Sequence, residues 1–450
     1  VEHVMYSNKN QVAFESLEGR QMMSAAVALT IHEVVTSAGV ELQITGSAKN
    51  DNILVTKTNQ GFVISNNGNW SRVRTGHYSD IKIDGAAGND KITVNANVFE
   101  SNLIYGGDGN DTISSGSGND TIYAGAGNDL VYGNRGEDTI VTVGGGTSDL
   151  VYGGKGMDSV WRDSSGSERF LDMCAEEVAG GADHRIASFT DGSKTVSKEL
   201  SGQRLSDPTS SYSYNTFSDR PLFSSTGPSA DDIKQGQTGD CYFLATLASI
   251  TEHDTNVIKQ SVVDLGDGTY AVQFTKNDGS KTFVRVDSDL ATFSWNNNQP
   301  AYASLGADNS MWVAVIEKAF TYFRYGTGSY ASIDGGYMSD AFNAMGTLTS
   351  NTWDASSSDQ LVSTVESQLA AGESVTAACF TRPAGSNMVT EHAYTVDHIV
   401  TNGDGSKSVV VRNPWGIDGY SCNDGHNDGY VTLTAAQAFS ALTYLTSAKV

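Results

Sequence analysis

Between Gly106 and Trp161 the chain repeats itself every nine residues, and few folds accommodate such a period. The units run 106–114, 115–123, 124–132 and 133–141, then, after Thr142 and Val143, 144–152 and 153–161. The sixth place is always aspartate: Asp111, Asp120, Asp129, Asp138, Asp149 and Asp158. The eighth is always Ile or Val: Ile113, Ile122, Val131, Ile140, Val151 and Val160. An earlier unit carries Asp90 and Ile92, and a degenerate one Asp51 and Ile53. A three-residue strand around each Ile or Val, followed by a Gly-rich turn, gives half a coil. No unit can bury its own apolar side chain, so the units must stack. Stacking brings the aspartates into rows that repel unless a hard cation bridges them. Calcium suits the task, taking six to eight oxygens at about 2.3–2.6 Å. With two units per coil, Asp111 should face Asp129 on one edge and Asp120 should face Asp138 on the other.

Over roughly residues 85–161 the sequence resembles the RTX family of calcium-binding nonapeptide repeats, Gly-Gly-x-Gly-x-Asp-x-apolar-x. The resemblance implies a parallel β-roll that binds Ca2+ through Asp90, Asp111, Asp120, Asp129, Asp138, Asp149 and Asp158. Sites of the strength expected of extracellular modules, about 10⁻⁴–10⁻³ M by analogy with EF-hands, would stay empty in a cytosol. An extracellular or cell-surface bacterial location is the expectation. Strand-like alternation upstream, as in Val40-Glu41-Leu42-Gln43-Ile44, suggests irregular coils extending the roll.

The formal charge of −24 suits a cation-binding chain and argues against nucleic acid or an anionic membrane as partner. No apolar run is long enough to cross a bilayer, so no membrane insertion is expected. Four cysteines in 450 residues make no disulfide framework, although a Cys379–Cys422 pairing stays open. The tract Leu17-Glu18-Gly19-Arg20-Gln21-Met22-Met23-Ser24-Ala25 resembles a short N-terminal export tract of some bacterial proteins. The expected organisation is an extension or export-type tract at 1–30, a β-rich region at 31–161, a Ser/Thr/Gly-rich connector at 162–228 and a packed domain at 229–450.

Aromatic and apolar runs begin after residue 229. Gly236 and Gly239 mark a turn, and from Cys241 the apolar residues 243, 244, 247, 248 and 250 have helical spacing. Cys241 thus falls in a first helical turn, where the helix dipole favours a thiolate. His392 lies on a strand-like segment, and Asn413 ends another, Ser408-Val409-Val410-Val411-Arg412. A thiol nucleophile needs a proton acceptor, and the imidazole needs an orienting amide. Gln235 and the Cys241 backbone N–H could then donate to a developing oxyanion. His398, on the same strand face as His392, is a rival base.

These residues resemble the calpain family of papain-like cysteine peptidases. The matching segments are Gln235-Gly236 with Gly239-Asp240-Cys241-Tyr242-Phe243-Leu244-Ala245, Trp312-Val313-Ala314-Val315-Ile316-Glu317-Lys318-Ala319-Phe320, His392-Ala393-Tyr394-Thr395-Val396 and Arg412-Asn413-Pro414-Trp415-Gly416. The resemblance implies Cys241 as nucleophile, His392 as general base and acid, Asn413 as its orienter, Gln235 as oxyanion donor and Trp415 as a shield over the His–Asn pair. Glu391 stands where the family has Gly, and a strand would turn its side chain away from His392. Asp232 matches one acidic ligand of a family calcium site, but the usual partner falls near Ala331. The loop around Ile417 to Gly419 is also altered, which argues against calcium switching in the core. Asp418, Asp424 and Asp428 are expected as solvated surface charges, and no catalytic role is expected for Cys174, Cys379 or Cys422.

The expected chain is multidomain: an N-terminal parallel β-roll, RTX-like, followed by an α+β papain-like or calpain-like two-lobed cysteine protease core. The expected function is a secreted or surface-exposed, calcium-stabilised cysteine endopeptidase acting on protein or peptide substrates. The alternative is a calcium-dependent adhesion or matrix protein whose protease-like domain is inactive.

Overall fold

The computed structural model describes residues 29–36, 39–72, 76–146, 148–164, 166–191, 194–202, 204–347, 350–419 and 426–450. The export-type tract expected within 1–30 lies outside these described residues except for its last two positions. The chain divides into two compact units, 1–187 and 188–450.

The first unit is a solenoid built from two sheets. One sheet stacks Asp80–Asp84, Ser101–Asp108, Thr121–Ala126, Thr139–Val141, Ser159–Asp163 and Asp183–Ile186 in parallel. The other stacks Asn52–Thr58, Lys91–Val94, Thr112–Ser114, Leu130–Arg135, Leu150–Lys155 and Arg169–Phe170. The eighth-place residues alternate between the sheets, as two units per coil requires. Ile104, Ile122, Ile140 and Val160 stand in register on one side. Ile53, Ile92, Ile113, Val131, Val151 and Phe170 do so on the other. Apart from the partly buried Phe170, these apolar residues are buried in one continuous core. Outside the core the tyrosines stack too, Tyr105 on Tyr123 and Tyr132 on Tyr152, each at 4.9 Å.

The coil spacing leaves no room for side chains in the turns. At Gly127, with φ at 143°, an added Cβ would lie 1.8 Å from the carbonyl oxygen of Gly109 one coil away. The upstream residues do extend the roll, and they also cap it. Thr30–Val35 pairs antiparallel with Val40–Thr45, and Gly61–Asn66 and Asn69–Arg72 continue antiparallel beyond Asn52–Thr58. Such hairpins occupy the edge of the parallel sheets.

The stretch read as a connector, 162–228, has regular structure in both units. Arg169–Phe170 and Asp183–Ile186 complete the solenoid, and buried Trp161 stacks on His184 at 4.0 Å. Phe189–Thr190 then joins a sheet of the second unit beside Lys281–Asp287, and Ser213–Thr216 pairs with Asp289–Phe293. These strands are two to four residues long and set among Ser, Thr and Gly, so no periodic pattern announces them.

The second unit has two apolar cores, each built around its own sheet. The first packs the helices Cys241–His253 and Trp312–Phe323 with the strands Val262–Asp264, Thr269–Thr275 and Lys281–Asp287. Phe243 of one helix stacks on Phe320 of the other at 3.9 Å. The second core lies under a six-stranded sheet in the order Ser350–Trp353, Leu442–Lys449, Glu373–Cys379, His392–Thr401, Lys407–Arg412 and Tyr430–Thr434, covered by helices Ser358–Ala370 and Ala435–Ala441. All pairings within that sheet are antiparallel. Helix Cys241–His253 is fastened to the sheet by Thr395 Oγ1 donating to Ala245 O at 2.7 Å and by Ser374 Oγ donating to Ser249 O at 2.9 Å. Two lobes therefore meet along the helix whose first residue is Cys241.

Candidate active site and calcium rows

The cysteine turn is held by backbone contacts before any side chain acts. Gln235 N–H donates to Pro414 O at 2.8 Å and Gln237 N–H to Ala301 O at 2.9 Å, so the turn is clamped from both lobes. Gly236 is obligatory there: an added Cβ would meet the Tyr302 carbonyl oxygen at 2.1 Å. Asp240 ends the turn, and the helix starts at Cys241, as its apolar spacing predicts. The Cys241 thiol is partly buried and lines the same cleft as Ala393, the residue after His392.

His392 opens its strand and is 7 % exposed, and Asn413 is fully buried at the end of the next strand. The His392 Nε2 to Asn413 Oδ1 distance is 2.8 Å. The same Oδ1 receives the Trp415 backbone N–H at 3.0 Å. A backbone N–H can only donate, so the amide atom facing it is the oxygen, and Nε2 must carry the proton. Nδ1 is then the unprotonated nitrogen. The Trp415 ring lies 4.9 Å from the imidazole, tilted by 55°. Cys241, His392, Gln235 and Trp415 line one cleft of about 560 Å³.

Electrostatics run against the expected thiolate. Burial, reinforced by the Asp240 carboxylate, pushes the Cys241 thiol up to about 11. Burial pushes the His392 imidazole down to about 4, with its Asn413 bond opposing. Both shifts favour the neutral thiol and the neutral imidazole over the ion pair. Burial costs each charged form more than the helix terminus returns.

Gln235 is engaged within the turn. Its Nε2 donates to Thr238 O at 2.7 Å and to Asp240 Oδ1 at 3.2 Å, while its buried Oε1 finds no donor. Aiming Nε2 into the cleft requires release of the longer bond. Beneath lies a feature the sequence reading missed: fully buried Asp240 stands beside buried Glu317, and burial together with the neighbouring Asp240 charge holds the Glu317 carboxyl well above its usual range. Glu317 also receives the Ala303 N–H at 3.0 Å. A glutamate within the apolar run Trp312–Phe323 was the available signal.

Several residues stand elsewhere than expected. A β-bulge between Val396 and His398 shifts the register, so His398 is exposed beside Asp397 and no longer shares the face of His392. Glu391 precedes the strand at φ 55° and lines the cleft; it does not point away along a strand. Asp232 is a structural hub: its oxygens accept the Ala307 N–H at 2.7 Å, the Trp312 indole N–H at 2.8 Å and the Ser229 N–H at 3.0 Å. Asp418 is buried and accepts the Gly429 N–H, so it is not a solvated charge, whereas Asp428 is exposed. Asp424 and Cys422 lie outside the described residues. Cys379 is a free, buried thiol donating to Thr381 O, and Cys174 lies in the solenoid unit.

In the solenoid the aspartates form two ladders. Asp111 N–H donates to Asp129 Oδ1 at 2.7 Å on one edge, and Asp120 N–H to Asp138 Oδ1 at 2.8 Å on the other, as the period implies. Asp51, Asp90 and Asp149 extend the first row, and Asp158 extends the second. The ladder goes further than the sequence reading did: Asn102 N–H donates to Asp120 Oδ1, and Asp158 N–H donates to Glu177 Oε1. Among the described residues, the Oδ2 oxygens of Asp90, Asp111, Asp129, Asp138 and Asp149 are buried with no donor. Burial raises Asp129 to about 7 and Asp138 to about 9. Buried, donor-free carboxylate oxygens repeated down a row fit Ca2+, whose charge would replace the missing donors. Asp120 differs, because Asn102 and Gly116 supply donors to both of its oxygens. Asp51 is likewise served by Ser47 and Asn66. Among the described residues, one further acidic group, Asp207, Asp287 and Asp289, surrounds the Lys318 ammonium.

Comparison with known proteins agrees with both halves. Residues 105–140 match the RTX calcium-binding nonapeptide repeat, so the roll is a Ca2+-binding element. Residues 191–428 match the calpain family cysteine protease model. Calpain clp-4 of Caenorhabditis elegans is 31 % identical over 212 residues, covering 44 % of this chain and 29 % of that protein. Calpain-9 of Mus musculus is 27 % identical over 214 residues, covering 44 % and 30 %. The calpain-type cysteine protease ADL1 of Oryza sativa subsp. japonica is 27 % identical over 215 residues, covering 44 % and 10 %. The chain thus spans less than a third of the length of these relatives. With more than half of its residues under the family model, the chain belongs to the calpain family of cysteine proteases.

Proposed function

We propose that the chain is a cysteine endopeptidase, secreted or displayed at the cell surface, whose solenoid is stabilised by calcium. Cys241 is the nucleophile, His392 the general base and acid, and Asn413 the residue that orients it. The observation that carries this reading is the bond from His392 Nε2–H to Asn413 Oδ1, beside a cleft that His392 and the Cys241 thiol line together. With Nε2 committed, Nδ1 accepts the thiol proton as sulfur attacks the peptide carbonyl carbon. The imidazolium is then stabilised by the Asn413 carboxamide, and it returns the proton to the leaving amine. Water repeats the sequence in reverse to release the acyl group from sulfur. The Cys241 N–H and Gln235 Nε2 stabilise the oxyanion, the latter after giving up its bond to Asp240. Trp415 shields the His–Asn bond from water.

Calcium, when bound, neutralises the aspartate rows of the roll. The extracellular assignment is supported by the resemblance to exported repeat proteins and by the low affinity expected of such sites. The test is covalent capture. A peptidyl electrophile selective for activated thiols, followed by peptide mapping, should modify Cys241 ahead of Cys174 and Cys379. Modification of Cys241 no faster than of the other cysteines would instead favour a calcium-dependent binding protein with a silent protease-like domain.

A further inference from the structure

Among the described residues, the cleft around Cys241 and His392 is lined by two carboxylates, Glu391 and Asp334, and by no lysine or arginine. They stand on opposite walls. Glu391 belongs to the sheet wall, immediately before His392. Asp334 belongs to the loop tied to the cysteine turn by Gly335 N–H donating to Gly239 O at 2.9 Å. Both are exposed.

Glu391 also carries a backbone anomaly. Its φ of 55° lies in the left-handed region, which disfavours any residue with a Cβ and which glycine enters freely. Strain of this kind persists only where the surrounding structure holds it in place, and it clusters at active sites and ligand clamps. No lysine or arginine occurs between Arg382 and the end of the strand at Thr401, so nothing nearby along the chain offsets the Glu391 charge. Asp334 is partly offset: the Arg324 guanidinium lies behind its loop, donating to Gly335 O at 2.7 Å and resting over the Tyr242 ring. Glu391 is therefore the stronger determinant.

We infer that Glu391, assisted by Asp334, selects peptides with lysine or arginine beside the scissile bond. The inference rests on the hydrolase reading of this cleft and deepens it by naming the substrate class. A solvent-facing ion pair gives a modest preference, about fivefold, which salt screens.

The test uses the full chain in calcium and peptides that differ only by lysine or leucine next to the cleaved bond. The kcat/KM ratio of lysine to leucine peptide should fall about fivefold in Glu391→Gln, survive in Glu391→Asp and shrink in 0.5 M salt. Glu391→Gly should lose the preference while its Tm rises, because the strain is relieved. The same peptides are titrated onto the Cys241→Ala variant, where no chemistry is needed. Tighter binding of the lysine peptide, abolished by adding Glu391→Gln, supports the inference even if the hydrolase reading fails. An unchanged ratio in Glu391→Gln, or equal binding of both peptides, would overturn it.

Discussion

His392 Nε2 donates to Asn413 Oδ1 across 2.8 Å, and that bond decides which ring nitrogen is available for chemistry. The Trp415 N–H anchors the same oxygen at 3.0 Å, so the carboxamide cannot reverse without placing its NH2 against a donor. Replacing Asn413 with alanine should leave the imidazole free to choose its tautomer and orientation. The expected result is a fall in kcat of about 10² with KM little changed. Steady-state kinetics on one peptide checks this, and a change confined to KM would contradict it.

A second expectation concerns pH. The base must be neutral to accept the thiol proton, and burial holds His392 at about 4. Activity should therefore persist at pH 5 and decline only as pH drops through about 4. The thiol, pushed up to about 11, should add no alkaline decline below pH 10. The fold responds in the same direction. The folded state binds fewer protons at His392 than the unfolded chain between the ordinary value of 6.5 and about 4, so this group's contribution is complete above pH 6.5 and is lost as pH falls through that window. A kcat/KM profile in calcium is the measurement, and an acid limb centred near 6.5 would contradict the buried-imidazole picture.

Much of this architecture is legible in the residues themselves. Aspartate and Ile or Val at fixed places in a nine-residue period imply two strands per coil, and the register of Ile122 between Ile104 and Ile140 follows. Cys241 at a helix start, and His392 and Asn413 on neighbouring strands, are likewise local signals that the fold brings together. The features that escaped depend on close approach between distant segments. The bulge that turns His398 outward is set by pairing with Val410, and Glu317 becomes a partner of Asp240 only when two helices pack. The upward push of burial on the Cys241 thiol escaped for the same reason. A helix terminus can be read from sequence, but the burial that outweighs it cannot. The short strands at 169–170 and 189–190 are set by the sheets they join, and Ser/Thr/Gly-rich surroundings hid them.

The solenoid should depend on calcium in a pH-sensitive way. Burial raises Asp90 and Asp149 to about 6, Asp129 to about 7 and Asp138 to about 9, from an ordinary value of 3.8. Between 3.8 and these values the metal-free folded roll binds more protons than the unfolded chain, so its stability falls as pH rises through that window. Calcium should reverse the trend by binding the ionised rows. Thermal melts of the full chain with chelator should show the solenoid transition at a lower temperature at pH 8 than at pH 5. Added calcium should raise it more at pH 8. A transition indifferent to chelator at both pH values would contradict the assignment of the rows.

The central claim, that Cys241 is the atom of attack, is tested most directly by hydrolysis of a fluorogenic peptide by the full chain in calcium, beside a Cys241→Ala variant of matched Tm. The account expects the variant to lose at least about 10³-fold in kcat. A variant that folds normally and cleaves the peptide at the original rate would contradict it.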